Sequence, residues 1–270
     1  YYNGEIGSFG IDFNMDYMWR KSRSEMWNNE TSESLENSIV NSLGINRSRL
    51  FAERLVLSYP FWKGGIEFGE EYTTSRFSSD YTTDASILGN ATSNVDENNI
   101  AGFFEIGQSF GNFNVGVGLR YEHVKFDYLE NGQKIEDQSR TYSNLFPSVS
   151  LSTMIKNVQL SMTYTNKTQR PSYADLDGTV DYINRFTLEG GNPFLKPEKI
   201  HSIELMGAWR QFFGQITYTY KKDPIMNNTH PYGDDAEIKL ITMDNFPKIQ
   251  GLQAFVGGQF KVGIWQPKVN

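Results

Sequence analysis

Phe9-Gly10-Ile11-Asp12-Phe13-Asn14-Met15-Asp16-Tyr17-Met18-Trp19-Arg20 decides the reading of this chain. Successive side chains of an extended strand point to opposite faces. Phe9, Ile11, Phe13, Met15, Tyr17 and Trp19 therefore share one face, and Gly10, Asp12, Asn14, Asp16, Met18 and Arg20 share the other. One face suits hydrocarbon and the other suits water.

Ten stretches of the chain repeat this alternation. Val115, Val117, Leu119 and Tyr121 oppose Asn114, Gly116, Gly118, Arg120 and Glu122. Val158, Leu160, Met162 and Tyr164 oppose Gln159, Ser161, Thr163 and Thr165, and Ile216, Tyr218 and Tyr220 oppose Gln215, Thr217 and Thr219. The last stretch carries Leu252, Ala254, Val256, Phe260 and Val262. The connections alternate in length. Those at about 60–64, 111–112, 156–157 and 211–213 are short; those at about 22–46, 77–98, 127–142, 166–199 and 221–248 are long and polar. Within the last of these, Ile238–Met243 has the pattern of an upward strand extension.

Short turns at one end, long loops at the other and charges in mid-strand on the polar face mark an up-and-down transmembrane β-barrel. Roughly ten tilted residues at ~3.3 Å rise span its ~25 Å apolar band. The expected fold is all-β and antiparallel, with Asp12, Asp16, Arg120, Glu122 and Glu204 facing a wet lumen.

Composition agrees. Hydrophobic residues make up 38% of 270 and mean hydropathy is −0.52, as expected when half of each strand is polar. No run approaches the ~18 apolar residues of a membrane helix. Aromatics reach 14% and suit both strand faces and membrane interfaces. The absence of cysteine excludes disulfides and thiolate metal sites. A net charge of −7 argues against nucleic acid as a partner. The Tyr1-Tyr2-Asn3 start and the Gln266–Asn270 ending have the look of cuts within a longer precursor. Residues 1–270 are expected to be part of one barrel domain.

Several motifs invite chemistry and read better as structure. Gly107-Gln108-Ser109-Phe110-Gly111 matches a nucleophile elbow, but that motif needs a strand-to-helix turn, and strands flank this one on both sides. His123, His201 and His230 lack metal-ligand spacing. Glu67 and Glu71 fall on the polar face of their strand and Glu70 on the other. Asp80, Asp84, Asp96-Glu97 and Asp234-Asp235 read as solvated loop acids rather than a hard-cation site. No catalytic residue, cofactor or metal is expected.

The longest loop holds the most specific signal. Leu145-Phe146-Pro147-Ser148, then Met162-Thr163-Tyr164-Thr165 leading to Arg170-Pro171-Ser172-Tyr173, then Gly191-Asn192-Pro193-x-Leu195-x-Pro197-Glu198, is similar to the β-barrel part of TonB-dependent receptors. The likeness is strongest to the outer membrane protein β-barrel group abundant in Bacteroidota, relatives of SusC-type nutrient importers. It runs from about Phe9 to the end. The resemblance implies a 22-stranded barrel whose N-terminal plug engages TonB, in the outer membrane of a Gram-negative cell, actively importing a small ligand such as a glycan or siderophore. A surface lipoprotein over the loops is compatible with it. About ten strands and no plug or TonB-contact segment are present here, so the chain is expected to be a fragment of the wall. Arg170, Pro171, Gly191, Asn192, Pro193, Leu195, Pro197 and Glu198 enter as structural loop residues.

Two rival readings make opposite structural demands. A secreted all-β carbohydrate-binding module would bury the apolar faces in a dry core, as would an all-β hydrolase using loop carboxylates. A barrel exposes them. The orientation of Phe9, Val117, Leu160 and Ile216 separates these readings.

Overall fold

All ten alternating stretches form strands, and most run well past the alternating segment that marked them. The computed structural model describes residues 1–33, 36–233, 235–260 and 268–269, with no side-chain detail at 235, 236, 268 and 269. The wall begins with β1 (Tyr2–Ile6), β2 (Phe9–Glu30), β3 (Ser38–Phe61), β4 (Gly64–Thr83), β5 (Ala91–Phe110) and β6 (Phe113–Glu130). A two-residue β7 (Gln133–Lys134) folds back on β6, followed by β8 (Arg140–Ile155) and β9 (Val158–Gln169). Then come β10 (Val180–Asn184), β11 (Thr187–Gly190), β12 (Glu198–Trp209), β13 (Phe212–Lys222), β14 (Ile225–Tyr232), β15 (Asp235–Asn245), β16 (Lys248–Gln259) and β17 (Lys268–Val269).

Thirteen strands form one antiparallel sheet in the order β1-β2-β3-β4-β5-β6-β8-β9-β12-β13-β16-β17, with β7 beside β6. The expected ten are β2–β6, β8, β9, β12, β13 and β16; β1 and β17 extend the sheet at either end. Among the described residues, the sheet ends at β1 and β17 without closing. Val262, expected in the last strand, lies outside the described residues.

From β1 to β13 the short turns share one end of the sheet. Gly7-Ser8, Trp62-Lys63, Gly111-Asn112, Lys156-Asn157 and Arg210-Gln211 are two-residue turns at one end of the sheet. The first residue of each has positive φ, between 54° and 63°, as tight hairpins require. Aromatic rings crowd this rim: Trp62 meets Phe110 edge-on at 5.4 Å, and Trp209 stacks on Phe212 at 6.2 Å. Amphipathic rings of this kind suit a membrane–water interface.

The opposite end departs from the expected long loops. β2 and β3 stay paired from Gly10↔Ser58 to Glu30↔Ser38, which leaves only 31–37 between them. Similarly, only 84–90 separate β4 from β5. At ~3.3 Å per residue, the 24 residues of β3 run roughly 80 Å, about three times the apolar band even before tilt. Above that band neither face meets hydrocarbon, so Ser-, Thr- and Asn-rich strands need no strict alternation. Their composition alone made them read as loops.

The apolar face of the lower wall is uncovered. Phe9 is 42% exposed, Val117 47%, Leu160 44% and Ile216 48%. Among the described residues no second sheet packs on this face to make a dry core, and the demand of the carbohydrate-binding module and the hydrolase fails there. Burial occurs on the other face, in the upper half. There Phe77, Val95, Phe126 and Tyr128 of β4–β6 meet Leu176 and Leu195 from the long connections, and Val40 and Ala85 meet Tyr182 and Leu188. A second sheet, β10-β11-β15-β14, provides this cap.

Candidate functional site on the inner face of the upper wall

Alternation in β3–β6 aims Arg54, Glu71, Glu97, Arg120 and Glu122 to the inner face, and the chain beyond β9 adds Arg170. They form a ladder of alternating charge. Arg54 Nε donates to Glu71 Oε1 at 2.9 Å, and Arg120 Nη2 donates to Glu71 Oε2 at 2.6 Å. Arg120 Nε reaches Glu122 Oε1 at 2.8 Å, and Arg170 Nη2 takes Glu122 Oε2 at 2.8 Å. Arg170 Nη1 then approaches Glu97 at 3.5 Å. Each interior member touches two opposite charges, the arrangement that offsets the loss of hydration around partly buried ions. Burial opposes charge on Arg170, yet Glu97, Tyr142 and Glu122 hold its guanidinium pKa above the ordinary value.

A break in the wall brings Arg170 there. The β8–β9 ladder stops at Ser148↔Thr165, immediately beyond Pro147, which has no backbone N–H to give. Above that point β8 continues with β6 as far as Arg140↔Phe126, while β9 continues with β12. The chain leaving β9 turns across the inner face. Tyr173 hydrogen-bonds Ser75 and stacks on Phe77 with ring centroids 6.0 Å apart. Asp177 accepts from Ser93 Oγ at 2.6 Å, and Gly178 N donates to Tyr128 Oη at 3.1 Å. Burial, reinforced by Glu97, pushes the Tyr173 phenol up to about 12.

The family motif, expected as structural loop residues, is therefore packed inside the wall. Asn192 Nδ2 donates to Met243 O and Asp244 Oδ1, both at 3.0 Å, tying β11's exit to β15. Pro193 is buried and Leu195 is fully buried. Glu198, 4% exposed, accepts from Ile225 N at 2.7 Å and from Lys221 Nζ at 3.2 Å. Pro171 and Pro197 flank the two ends of the segment. At Gly191 a Cβ would lie 2.2 Å from Asp177 O and 2.8 Å from the carbonyls of Ala174 and Asp175. Those are backbone atoms and cannot swing aside. Gly191→Ala is expected to loosen the inner segment by about 1–3 kcal/mol, as overpacking does. Limited proteolysis should then cut within 170–197 while the wall resists; unchanged protection would refute this.

The remaining expected inner-face residues are dispersed. Asp12 accepts from Asn3 at 3.2 Å and from Asn14 at 2.8 Å. Asp16 stands opposite Ala52, and Glu204 accepts from Gln215 Nε2 at 2.8 Å on the far side of the sheet. Arg120 and Glu122 alone join the ladder. Sequence reasoning missed Arg54, Glu97 and Tyr173 as members, and considered Glu71 only as a catalytic candidate. An apolar residue on the polar face, as at Phe77, Val95, Phe126 and Tyr128, was the available signal that something packs there.

The chemical candidates resolve into structure. Ser109 sits at the end of β5, and its hydroxyl donates to Asn114 across the Gly111-Asn112 turn. His123 contacts Ser143, His201 contacts Tyr164 and His230 contacts Asp244. Asp80, Asp84 and Asp96 engage Arg47, Asn41 and Arg76 respectively. Asp234 and the Asp235 side chain lie outside the described residues.

A wall with an apolar exterior, tight turns at one rim and a structured cap at the other is the geometry of an outer-membrane barrel. A family model described as the outer membrane protein beta-barrel family matches residues 5–268. The chain belongs to that family. As a member of the outer membrane protein β-barrel family it resides in the outer membrane. No curated protein matches it. Among solved structures it is similar to the copper transporter OprC (12% identity, TM-score 0.65, 97% of this chain and 49% of that one). It is also similar to the ferric-catecholate import receptor Fiu from K12 E. coli (13%, TM-score 0.58, 97% and 44%). A third is the FrpB iron transporter from Neisseria meningitidis (11%, TM-score 0.51, 97% and 50%). At these identities the likeness is one of fold. The chain spans about half the length of these structures.

Proposed function

We propose that residues 1–270 form about half the wall of a TonB-dependent outer-membrane receptor that actively imports a small ligand. The observation that carries this reading is the β10-β11-β15-β14 cap folded onto the inner face of the upper wall. It occupies the mouth on the long-strand side, where a ligand arriving from outside would first meet the protein. A passive pore has no need of such a cap. The structures it resembles, named as copper and iron transporters and a ferric-catecholate import receptor, support the reading. The motif around Gly191–Glu198 supports the finer placement among SusC-like importers of Bacteroidota.

The remaining parts follow from the same proposal. Further strands would join the unpaired edges of β1 and β17. The inner face, with Asp12, Asp16, Arg120, Glu122 and Glu204, would line the lumen against a plug contacted by TonB. Near the turn rim that face is small and polar: Gly10, Gly116, Gly118, Ser148 and Ser150 border a hollow of about 880 Å³. Small side chains there let a packed partner approach the backbone closely. Lipid would cover the exterior, and a surface lipoprotein above the cap fits the SusC-like placement. Energy would come through TonB, with no chemistry in this chain.

The test is retention of the whole detergent-purified protein by the immobilised periplasmic domain of its cognate TonB. Retention that is lost on deleting the segment preceding this wall is the expected result. A folded protein that ignores TonB would overturn the receptor reading and leave a passive barrel.

A further inference from the structure

Three lysines stand side by side on the outer face of the wall. Lys199 of β12 is the direct cross-strand partner of Lys222 on β13, which is in turn the partner of Lys248 on β16. All three are exposed. A strand spacing of ~4.8 Å makes the row roughly 10 Å long. Like charges directly opposite one another destabilise a sheet, and among the described residues no acid forms an ion pair with any of the three. Asp137 and Asp223 line a cleft with Lys199 but form no ion pair with it. Lys221, one residue out of phase, turns inward to the buried Glu198.

Other cations of the outer face are answered locally. Above the apolar band on β3–β6, Arg47 pairs with Asp80, Arg76 with Asp96 and Lys125 with Asp127. Arg49 shares its cross-strand row with Asp96. The lysine row has no such acid among its cross-strand partners, of which the remaining one is Thr168.

Register fixes the height of the row as well as its face. Stepping down by alternate residues, His201 and Tyr220 come first, then Ile203, Tyr218 and Leu252, then Leu205 and Ile216. Ile203, Leu205, Ile216 and Leu252 are uncovered, as lipid-facing residues are. His201 lies between Tyr164 and Tyr220, with ring centroids 6.3 and 6.0 Å away. Amphipathic rings of this kind sit where hydrocarbon gives way to headgroups. Lys199 stands ten residues above Trp209, where β12 meets its turn. At ~3.3 Å rise and ~40° tilt that is about 25 Å, the full height of the apolar band. The row therefore stands at headgroup level on the side away from the tight turns, which in outer-membrane barrels is the outer leaflet.

We infer that Lys199, Lys222 and Lys248 form a docking site for the phosphate groups of an outer-leaflet glycolipid. Each ammonium is a compact cation with three donors for phosphate oxygens. Phosphate charge offsets the repulsion within the row, and the apolar strip beneath it receives the acyl chains. The inference goes beyond the receptor reading and does not rest on it; a passive barrel with the same wall would hold the same lipid.

The probe is bis-phosphorylated lipid A, carried in detergent micelles and titrated into the whole detergent-purified protein, with binding followed by thermophoresis. Saturable binding is expected. Lys199→Gln/Lys222→Gln/Lys248→Gln should bind at least tenfold more weakly. Lys63→Gln/Lys156→Gln/Arg210→Gln removes the same charge from the turn rim and should bind as the unsubstituted protein does. Lipid A stripped of its phosphates should bind the unsubstituted protein at least tenfold more weakly, and phosphatidylglycerol, with one phosphate diester, several-fold more weakly. Equal binding by the two triple variants, or by phosphorylated and stripped lipid, overturns the inference. Parity of phosphatidylglycerol with lipid A overturns the glycolipid assignment. Saturable binding of inorganic phosphate alone, without lipid A binding, marks a soluble-anion site and overturns it too. Heat-modifiable migration checks that each variant is folded. Should the triple row variant fail that check, Lys222→Gln at the centre of the row replaces it, with several-fold weaker binding expected and unchanged binding overturning the inference.

Discussion

Leu119→Arg is expected to prevent the wall from assembling, whereas Ser148→Arg at the same height is expected to be tolerated. Leu119 lies on the uncovered face, 49% exposed, and pairs with Phe104 and Pro147 on its neighbours. It stands six residues above Phe113, where β6 leaves its turn. With ~3.3 Å rise and ~40° tilt that is about 15 Å into the wall, near the middle of a ~25 Å apolar band. An arginine there meets hydrocarbon and costs ~2–4 kcal/mol, a large fraction of typical net stability. Leu160 shares the face but lies only two residues from Val158 and the Lys156-Asn157 turn. Leu160→Arg can reach the interface and should cost ~0–1 kcal/mol. Ser148 pairs with Gly118 and faces inward beside the polar hollow. Gly118 itself is a poorer comparator, because a Cβ there would crowd Ser148 Oγ and Glu105. Heat-modifiable migration of the protein from outer-membrane fractions measures assembly. Equal loss at Leu119 and Ser148 would sink the assignment of faces; equal loss at Leu119 and Leu160 would sink the depth argument.

That prediction draws on the part of the fold that was readable before any coordinates. From Phe9 to Trp19 the alternation is forced by two solvents on two faces, so it appears in the sequence one residue at a time. Turn parity is equally local, since Gly111-Asn112 and Lys156-Asn157 sit between runs whose pattern stops and restarts. The upper wall is different. Residues 22–30 and 38–46 meet no hydrocarbon on either side, with water outside and the cap inside, so little but hairpin pairing distinguishes them from a loop. The candidate site was still less legible. Arg170 meets Glu97 and Glu122 from 73 and 48 residues away, and no spacing rule spans such distances. Its neighbours left a faint trace. Phe77, Val95, Phe126 and Tyr128 carry apolar side chains at positions whose parity is polar lower in the same strands. A reading that treated Phe77, Val95 and Tyr128 as loop discarded the trace together with the strands.

Arg170→Leu should open the inner segment while leaving the wall intact. Removing the guanidinium leaves the Glu97 carboxylate, whose side chain is 10% exposed, with only Tyr173 and the more distant Arg140, and takes one of two partners from Glu122, which retains Arg120. Breaking a buried pair from one side costs ~3–5 kcal/mol. Here Arg170 is 29% exposed and Arg120 remains, so about 2–3 kcal/mol is the better expectation after discounting for solvent. Local openings occur below the global unfolding free energy when a segment forms its own cooperative unit. Residues 170–197 qualify, because their contacts to the wall are a handful of side chains, whereas the strands are held by continuous ladders. Protease cleavage or hydrogen exchange within 170–197 should therefore rise by one to two orders of magnitude with heat-modifiable migration unchanged. Arg170→Lys should be intermediate, since an ammonium cannot reproduce the fork that reaches two carboxylates. Adding Glu97→Gln to Arg170→Leu should recover part of the protection, because the stranded group is then neutral. If Arg170→Leu instead removes the whole barrel, the ladder is part of the wall's own stability and the segment is no separate unit. If it changes nothing, the ladder's apparent order carries no energy.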